Sequence, residues 1–332
     1  MHTIAAPVLF AFLALFFQAL ATQPAQPTPE HRSSAPSTEA PPLPTPTDLI
    51  LERTTLPAEP GSKATVERIV YRSDGLRIVG YIAYPADALG NKSKLPCLVF
   101  NRGGNRSFGE TDDRWAQMLG GKAAEWGYVF FTSNLRGSTG SEGQDEFGGA
   151  DVNDIINGLG VLDALPFADT SRIGMWGHSR GGMMTYLALT RTKRVRAAIV
   201  GAGLSDMARC AKLRPEMEEN VFNECIPNWK TQRDDAIHAR SAVLWADKLP
   251  TDVPVLIVHG TSDWRVDPRD ALDIAVKLQE AKRPYRLLML EGGDHGLFGD
   301  HKETYDNAIR DWLDRYVKPE KPKLPNLEPH GA

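Results

Sequence analysis

From Thr65 onward, short apolar runs alternate with segments whose apolar positions recur at helical spacing. The runs 66–71 and 76–82 alternate apolar and polar residues on either side of Asp74-Gly75, which reads as two antiparallel strands joined by a tight hairpin. Six further runs, at 95–101, 128–134, 172–177, 196–201, 253–259 and 285–290, are apolar on both faces, as strands buried on two sides are. Helical patterns fall at 112–125, 150–165, 180–191, 268–282 and 302–317. In the second, Val152, Ile155, Ile156, Leu159 and Leu162 share one face. Asp267-Pro268 opens the fourth with a capping side chain and a proline at the first helical position. The pattern predicts an α/β protein with an eight-stranded, mostly parallel sheet covered by helices on both faces, forming one domain over residues 62–317. The stretch 205–249 breaks this rhythm. It is charged, holds Trp229 and Trp245, and reads either as a lid over a pocket or as a surface excursion.

The flanks have a different character. Val8 to Leu20 is a nearly unbroken apolar run ending in Ala19-Leu20-Ala21, a small-x-small cleavage pattern. Residues 1–21 are therefore expected to be a cleaved signal peptide, which places the mature protein in a periplasm or outside the cell. An uncleaved anchor is the alternative. Residues 22–61, rich in Pro, Thr, Ser and Ala, are expected to be a disordered spacer, and 318–332 a disordered tail.

The 332 residues carry a net charge of −4 and give no electrostatic footprint for nucleic acid or an anionic membrane. No later run is long enough to span a bilayer, so no stable membrane association is expected once the signal is removed. There are three cysteines. Cys97 lies in a strand and reads as core. Cys210 and Cys225 flank a polar stretch and would form a disulfide in an exported protein, or stand as unrelated thiols. No CxxC or HxxxH spacing is present, and neither a metal nor a cofactor is expected.

The chemistry centres on Gly177-His178-Ser179-Arg180-Gly181, preceded by the strand 172–177 and followed by the helix 180–191. Strand, G-x-S-x-G, helix is the context of a nucleophile elbow, in which a tight turn pushes the serine hydroxyl out at the strand's carboxyl end. A structural turn with a capping serine is the plainer reading. The hydroxyl needs an imidazole to take its proton, and the imidazole needs a carboxylate to fix its tautomer. On a parallel sheet both must come from loops at the strands' carboxyl ends. Asp263 is the first carboxylate after the strand 253–259, its rival Asp267 being taken up by the helix cap. His295 lies among glycines after the last strand, whereas His178 adjoins the serine but is expected to point elsewhere. For the oxyanion hole, the amide following the serine, that of Arg180, supplies one donor. The loop 101–105 supplies a second, from Gly103 or else Gly104.

With these residues in place, the chain resembles the catalytic domain of the prolyl oligopeptidase family of serine peptidases, within the α/β-hydrolase superfamily. Arg102-Gly103-Gly104 stands where the family often has His-Gly-Gly-Pro. Residues 133–140 are similar to its N-x-R-G-S-x-G, and His259 to Val266 match its H-G-x-x-D-x-x-V. The resemblance implies Ser179, Asp263 and His295 as triad and places Arg136 in a loop that organises the site. It departs from the family's larger members, which carry a β-propeller where this chain has only the polar spacer. No tyrosine stands beside Gly103. The implied activity is a serine hydrolase acting through an acyl-enzyme on small peptides. Acyl esters are the alternative substrate, and a non-catalytic binding protein of the same fold is the remote one.

Overall fold

The computed structural model describes residues 49–90 and 93–330; the expected signal peptide lies outside them. One nine-stranded sheet runs through the described residues in the order β1-β2-β3-β5-β4-β6-β7-β8-β9. Its strands are β1 Ile50–Thr55, β2 Ala64–Ser73, β3 Leu76–Pro85, β4 Leu95–Asn101, β5 Val129–Ser133, β6 Ala168–His178, β7 Val195–Gly201, β8 Val255–Gly260 and β9 Tyr285–Leu290. β1 to β3 pair antiparallel, β3 pairs antiparallel with β5, and every later pairing is parallel. Asp74 and Gly75, both at positive φ (49° and 83°), make the β2–β3 hairpin turn.

The expected eight strands become nine because β1 falls in the stretch 22–61 that reads as spacer. Its sequence, ILERTT, has only half-buried apolar residues followed by exposed polar ones, so no face alternates. Pairing to β2 from Ile50↔Tyr71 to Thr55↔Glu67 holds it at the sheet edge, together with ion pairs from Arg53 to Glu67 and from Glu52 to Arg77. Leu49, immediately before it, is buried in the core. The tail also departs from expectation. It has no regular element, but the carbonyls of Lys318 and Pro319 accept hydrogen bonds from Arg172 and Arg196.

Five helices lie where periodicity places them: α1 Asp113–Glu125, α2 Val152–Asp163, α3 Arg180–Arg191, α6 Arg269–Glu280 and α7 Lys302–Tyr316. The insertion between β7 and β8 adds α4 Met207–Leu213 and α5 Trp229–Arg240, linked by short turns. One sheet face is covered by α2, α3, α6 and the insertion, through side chains such as Ile155, Met184, Phe222 and Ile274. The other is covered by α1 and α7, through Ala116, Ala123, Ile309 and Leu313. Among the described residues no helix is long and apolar enough to cross a membrane.

The thiols of Cys210 and Cys225 are unpaired, which corrects the expected disulfide. Cys210 sits on α4 and lines a cavity, whereas Cys225 ends the short turn Asn223–Cys225 ahead of α5 and belongs to the buried core. Burial pushes their pKa values up to about 12 and about 11, so both stay protonated at neutral pH.

Candidate active site

β6 ends at His178, and the next residue, Ser179, takes φ 59° and ψ −126° before α3 begins. A non-glycine residue seldom holds positive φ, and the surroundings that hold it here are explicit. A Cβ at Gly177 would stand 2.0 Å from the carbonyl oxygen of Gly181, and one at Gly181 only 1.9 Å from that of Asn101 on β4. The second glycine is thus demanded by the neighbouring strand rather than by the turn itself. The Ser179 amide donates to Gly201 of β7 at 2.9 Å, and its carbonyl accepts from Gly182 and Leu204. These bonds pin the elbow from both sides. The Ser179 hydroxyl forms no hydrogen bond among the described residues and faces a cavity of about 480 Å³, which His295 also lines.

Two loops at the far end of the sheet meet because their backbones join. The Thr261 amide donates to Leu290 and the Ser262 amide to Gly293, each at 2.9 Å. A Cβ at Gly260 would strike the Gly293 carbonyl oxygen at 2.2 Å, so only glycine allows the approach. Asp294 accepts the amides of Gly296 and Leu297 at 3.0 Å, and this turn aims His295 inward. His295 Nδ1 then lies 2.8 Å from Asp263 Oδ2. Facing a carboxylate, Nδ1 carries the proton and Nε2 is left as the basic nitrogen.

Asp263 is saturated. Its Oδ1 accepts the amides of Arg265 (2.8 Å) and Val266 (3.0 Å), and its Oδ2 also lies 3.1 Å from His259 Nε2. That nitrogen is 3.0 Å from the Val266 carbonyl oxygen as well, and since both neighbours are acceptors it must carry the proton. Burial opposes ionisation of Asp263, but hydrogen bonds from His259 and His295 outweigh it and hold the carboxyl well below the ordinary range. His259 is therefore more than a packed strand-end residue. It braces the carboxylate from behind, a role that becomes visible only once the loop folds back on its own strand. Asp267, the rival carboxylate, accepts the Arg269 amide at the start of α6 and pairs with that guanidinium.

His178 departs from expectation. It lines the same cavity, its ring centroid 5.2 Å from that of His295. Burial, and then the neighbouring His295, push its pKa down to about 3. It stays neutral and cannot serve as the base at physiological pH.

Neither the Gly103 nor the Arg180 amide donates to a partner among the described residues, and both residues line the cavity beside Ser179. A Cβ at Gly103 would sit 3.1 Å from Ser179 Cβ and 3.6 Å from its Oγ, so a side chain there would cover the hydroxyl. At Gly104, φ is 70° and a Cβ would lie 1.9 Å from the Phe108 carbonyl oxygen, which makes that glycine a requirement of the turn.

Behind the amides lies a charge cluster that no local sequence signal marks. The Arg180 side chain is buried, pairs with Asp145 (2.7 Å) and Asp151, and donates to the Gly104 carbonyl oxygen at 3.0 Å. Asp145 also accepts the amide of Arg106 at 2.6 Å. Arg102, 2% exposed, donates to the carbonyls of Gly103 (2.9 Å), Arg106 (2.6 Å) and Asn134 (2.8 Å). A single residue, Arg180, thus offers its amide on one wall and ties down the opposite wall with its side chain. Arg136 serves structure, pairing with Asp154 and Asp74, each at 2.8 Å.

Arg180→Lys retains the charge, but a lone ammonium cannot reach Asp145, Asp151 and Gly104 together. Its kcat is expected to fall roughly 100-fold with KM within threefold, the pattern of a displaced oxyanion donor. Arg180→Met, which strands two buried carboxylates, is expected to lose about 3–5 kcal/mol of stability in denaturant unfolding. Unchanged kcat in the lysine variant would show that the clamp does not set the amides.

Residues 116–320 match the model of the prolyl oligopeptidase family, well over half of the chain. The chain belongs to that family. Membership makes it a serine peptidase by class. Among its relatives is the uncharacterized peptidase YtmA of Bacillus subtilis, 27% identical over 71% of this chain and 88% of that one. Dipeptidyl-peptidase 5 of Porphyromonas gingivalis is 25% identical over 77% of this chain but 38% of its own length, so the chain spans about two fifths of that larger relative. Among solved structures, the acylaminoacyl peptidase of Pyrococcus horikoshii aligns with TM-score 0.66 and 22% identity, covering 79% of this chain and 43% of that one. An acetyl xylan esterase from Paenibacillus sp. R4 aligns with TM-score 0.62 and 18% identity over 80% and 88%. Both structural likenesses are likenesses of fold.

Proposed function

We propose that this family member hydrolyses short peptides through an acyl-enzyme formed on Ser179. The observation that carries the reading is the Asp263–His295 pair at 2.8 Å opening on the same cavity as the strained serine and two unbonded amides. In the proposed sequence, Ser179 Oγ attacks the carbonyl carbon while its proton passes to His295 Nε2. The negative oxygen that forms is held by the Gly103 and Arg180 amides. The C–N bond breaks as His295 returns the proton to the leaving amine, and water attacks the acyl-enzyme by the same proton route in reverse. Asp263 holds the tautomer and stabilises the imidazolium. The residues supply a nucleophile, a base and oxyanion donors, so no metal or cofactor enters the scheme. Among the described residues no cluster of three or more His, Cys, Asp or Glu side chains is placed to hold a metal ion.

Esters present the same carbonyl chemistry with a better leaving group and are the second reading. Turnover of a panel of aminoacyl-anilides beside short acyl esters separates the two. The proposal expects measurable anilide cleavage that disappears together with ester cleavage when Ser179 is replaced. Rapid ester turnover with every anilide untouched would leave only an esterase.

A further inference from the structure

The cavity beside Ser179 runs along the sheet face covered by α1 and α7. Its walls include Phe100 and Trp176 on the sheet, Trp115 and Met118 on α1, and Phe298 after His295. Trp115 and Phe298 face each other across the rim with centroids 6.5 Å apart, and both are about half exposed (43% and 53%). On α1, positions 115, 118 and 122 share one face, so the walls extend about 10 Å from Trp115 to Lys122. That length accommodates roughly three residues of extended chain.

The end of this apolar run is charged. Lys122 of α1 and Lys302 of α7 both bond Asp306, at 2.6 Å and 2.7 Å, and all three line the cavity. One lysine is enough to tie the two helices through that carboxylate; the second leaves a positive charge over. The surroundings add to it. Six Lys and Arg residues line the cavity against two acidic ones, Glu110 and Asp306, in a chain whose net charge is −4. Arg180 is neutralised by Asp145 and Asp151, and Arg214 bonds Glu216 at 2.8 Å. The partners of buried Arg102, by contrast, are carbonyl and hydroxyl oxygens. The surplus positive charge is therefore local, at the Lys122–Asp306–Lys302 end, where low-dielectric walls strengthen its attraction for a ligand of the opposite sign.

We propose that the cavity selects substrates carrying a carboxylate at the end of an apolar stem, and that Lys122 and Lys302 meet that carboxylate. The proposal rests on Ser179 being the nucleophile that opens into this cavity, and it adds the class of molecule admitted. The carboxylate comes either from the C terminus of a short peptide or from an acidic side chain.

Calorimetric titration of the Ser179→Ala protein, which cannot consume its ligand, tests it with two matched pairs. N-acetyl-leucyl-leucine is compared with its amide, and N-acetyl-leucyl-glutamate amide with N-acetyl-leucyl-glutamine amide. The acid of one pair is expected to bind about tenfold or more tightly than its neutral partner at low salt, and the pair that shows it identifies the source. The preference is expected to shrink in about 0.5 M NaCl, where screening acts over only a few ångströms. Adding Lys122→Met and Lys302→Met should reduce it to within about twofold, while Lys122→Arg with Lys302→Arg should keep it. Thermal melts establish that each protein titrated is folded. Equal affinities within both pairs, binding of neither, or a preference that survives the double methionine change would overturn the proposal. The catalytic reading is tested apart from it, by fluorophosphonate labelling of the wild-type protein, so either can fail while the other stands.

Discussion

Ser179→Ala is expected to abolish labelling by a fluorophosphonate and to lower turnover of every substrate by roughly 10⁴-fold or more. The size follows from the chemistry. Without the hydroxyl there is no acyl-enzyme, and only the oxyanion amides and substrate binding remain to assist direct attack by water. The fold should be indifferent to the change. The hydroxyl bonds nothing among the described residues, and alanine keeps the Cβ that already sits at φ 59°. The variant's melting temperature is therefore expected to stay within a few degrees of wild type, a consequence of losing no packed atom and no bonded one. Residual labelling in a folded Ser179→Ala protein would place the nucleophile elsewhere and remove the basis of the proposed mechanism.

How much of this site could be read along the chain depended on how local each signal was. Ser179, Asp263 and His295 are legible because each lies in the turn or loop that follows an apolar strand, and a parallel sheet brings strand ends to one rim. The glycines beside them are visible in the sequence too, although what demands Gly181 and Gly260 is the close approach of another backbone segment rather than their own turn. Strand β1 was not legible, because an edge strand held by one neighbour and two ion pairs needs no apolar face. The clamp that Arg180 places on the loop at Gly104 was hidden by distance. Arg180 finds Asp145 and Asp151 35 and 29 positions upstream, and nothing in either segment advertises the pairing. His178 lines the cavity, against the expectation from its place beside the serine, because its direction is set by the twist of the elbow, which spacing does not encode. The cysteine pairing failed for a similar reason: closeness along the chain says little about where two helical side chains point. Local rules thus deliver the candidate reacting groups, whereas the residues that hold them in place emerge only from packing.

Asp263→Asn is expected to cost about 10⁴ in kcat while leaving KM within a few fold, the size of loss seen when a triad carboxylate is replaced by its amide elsewhere. In the native protein four donors converge on this side chain: the Arg265 and Val266 amides, His295 Nδ1 and His259 Nε2. An asparagine offers a single acceptor oxygen. If that oxygen keeps the two backbone amides, the NH₂ group faces two imidazole N–H groups. His295 can then escape the clash only by moving its proton to Nε2, where it no longer accepts one from Ser179. Asp267→Asn, which alters only the cap of α6 and its pair with Arg269, should leave turnover within threefold and excludes a general effect of removing charge nearby. The same carboxylate links the site to acid stability. Because its folded pKa lies below the value near 4 of an unfolded aspartate, it stabilises the protein fully above that value, and this contribution is lost as pH falls toward the folded one. Melting temperature measured from neutral pH downward should therefore fall more steeply below about pH 4 in wild type than in Asp263→Asn. Parallel curves, or an asparagine variant within tenfold of wild-type turnover, would mean that His295 is held by something other than Asp263.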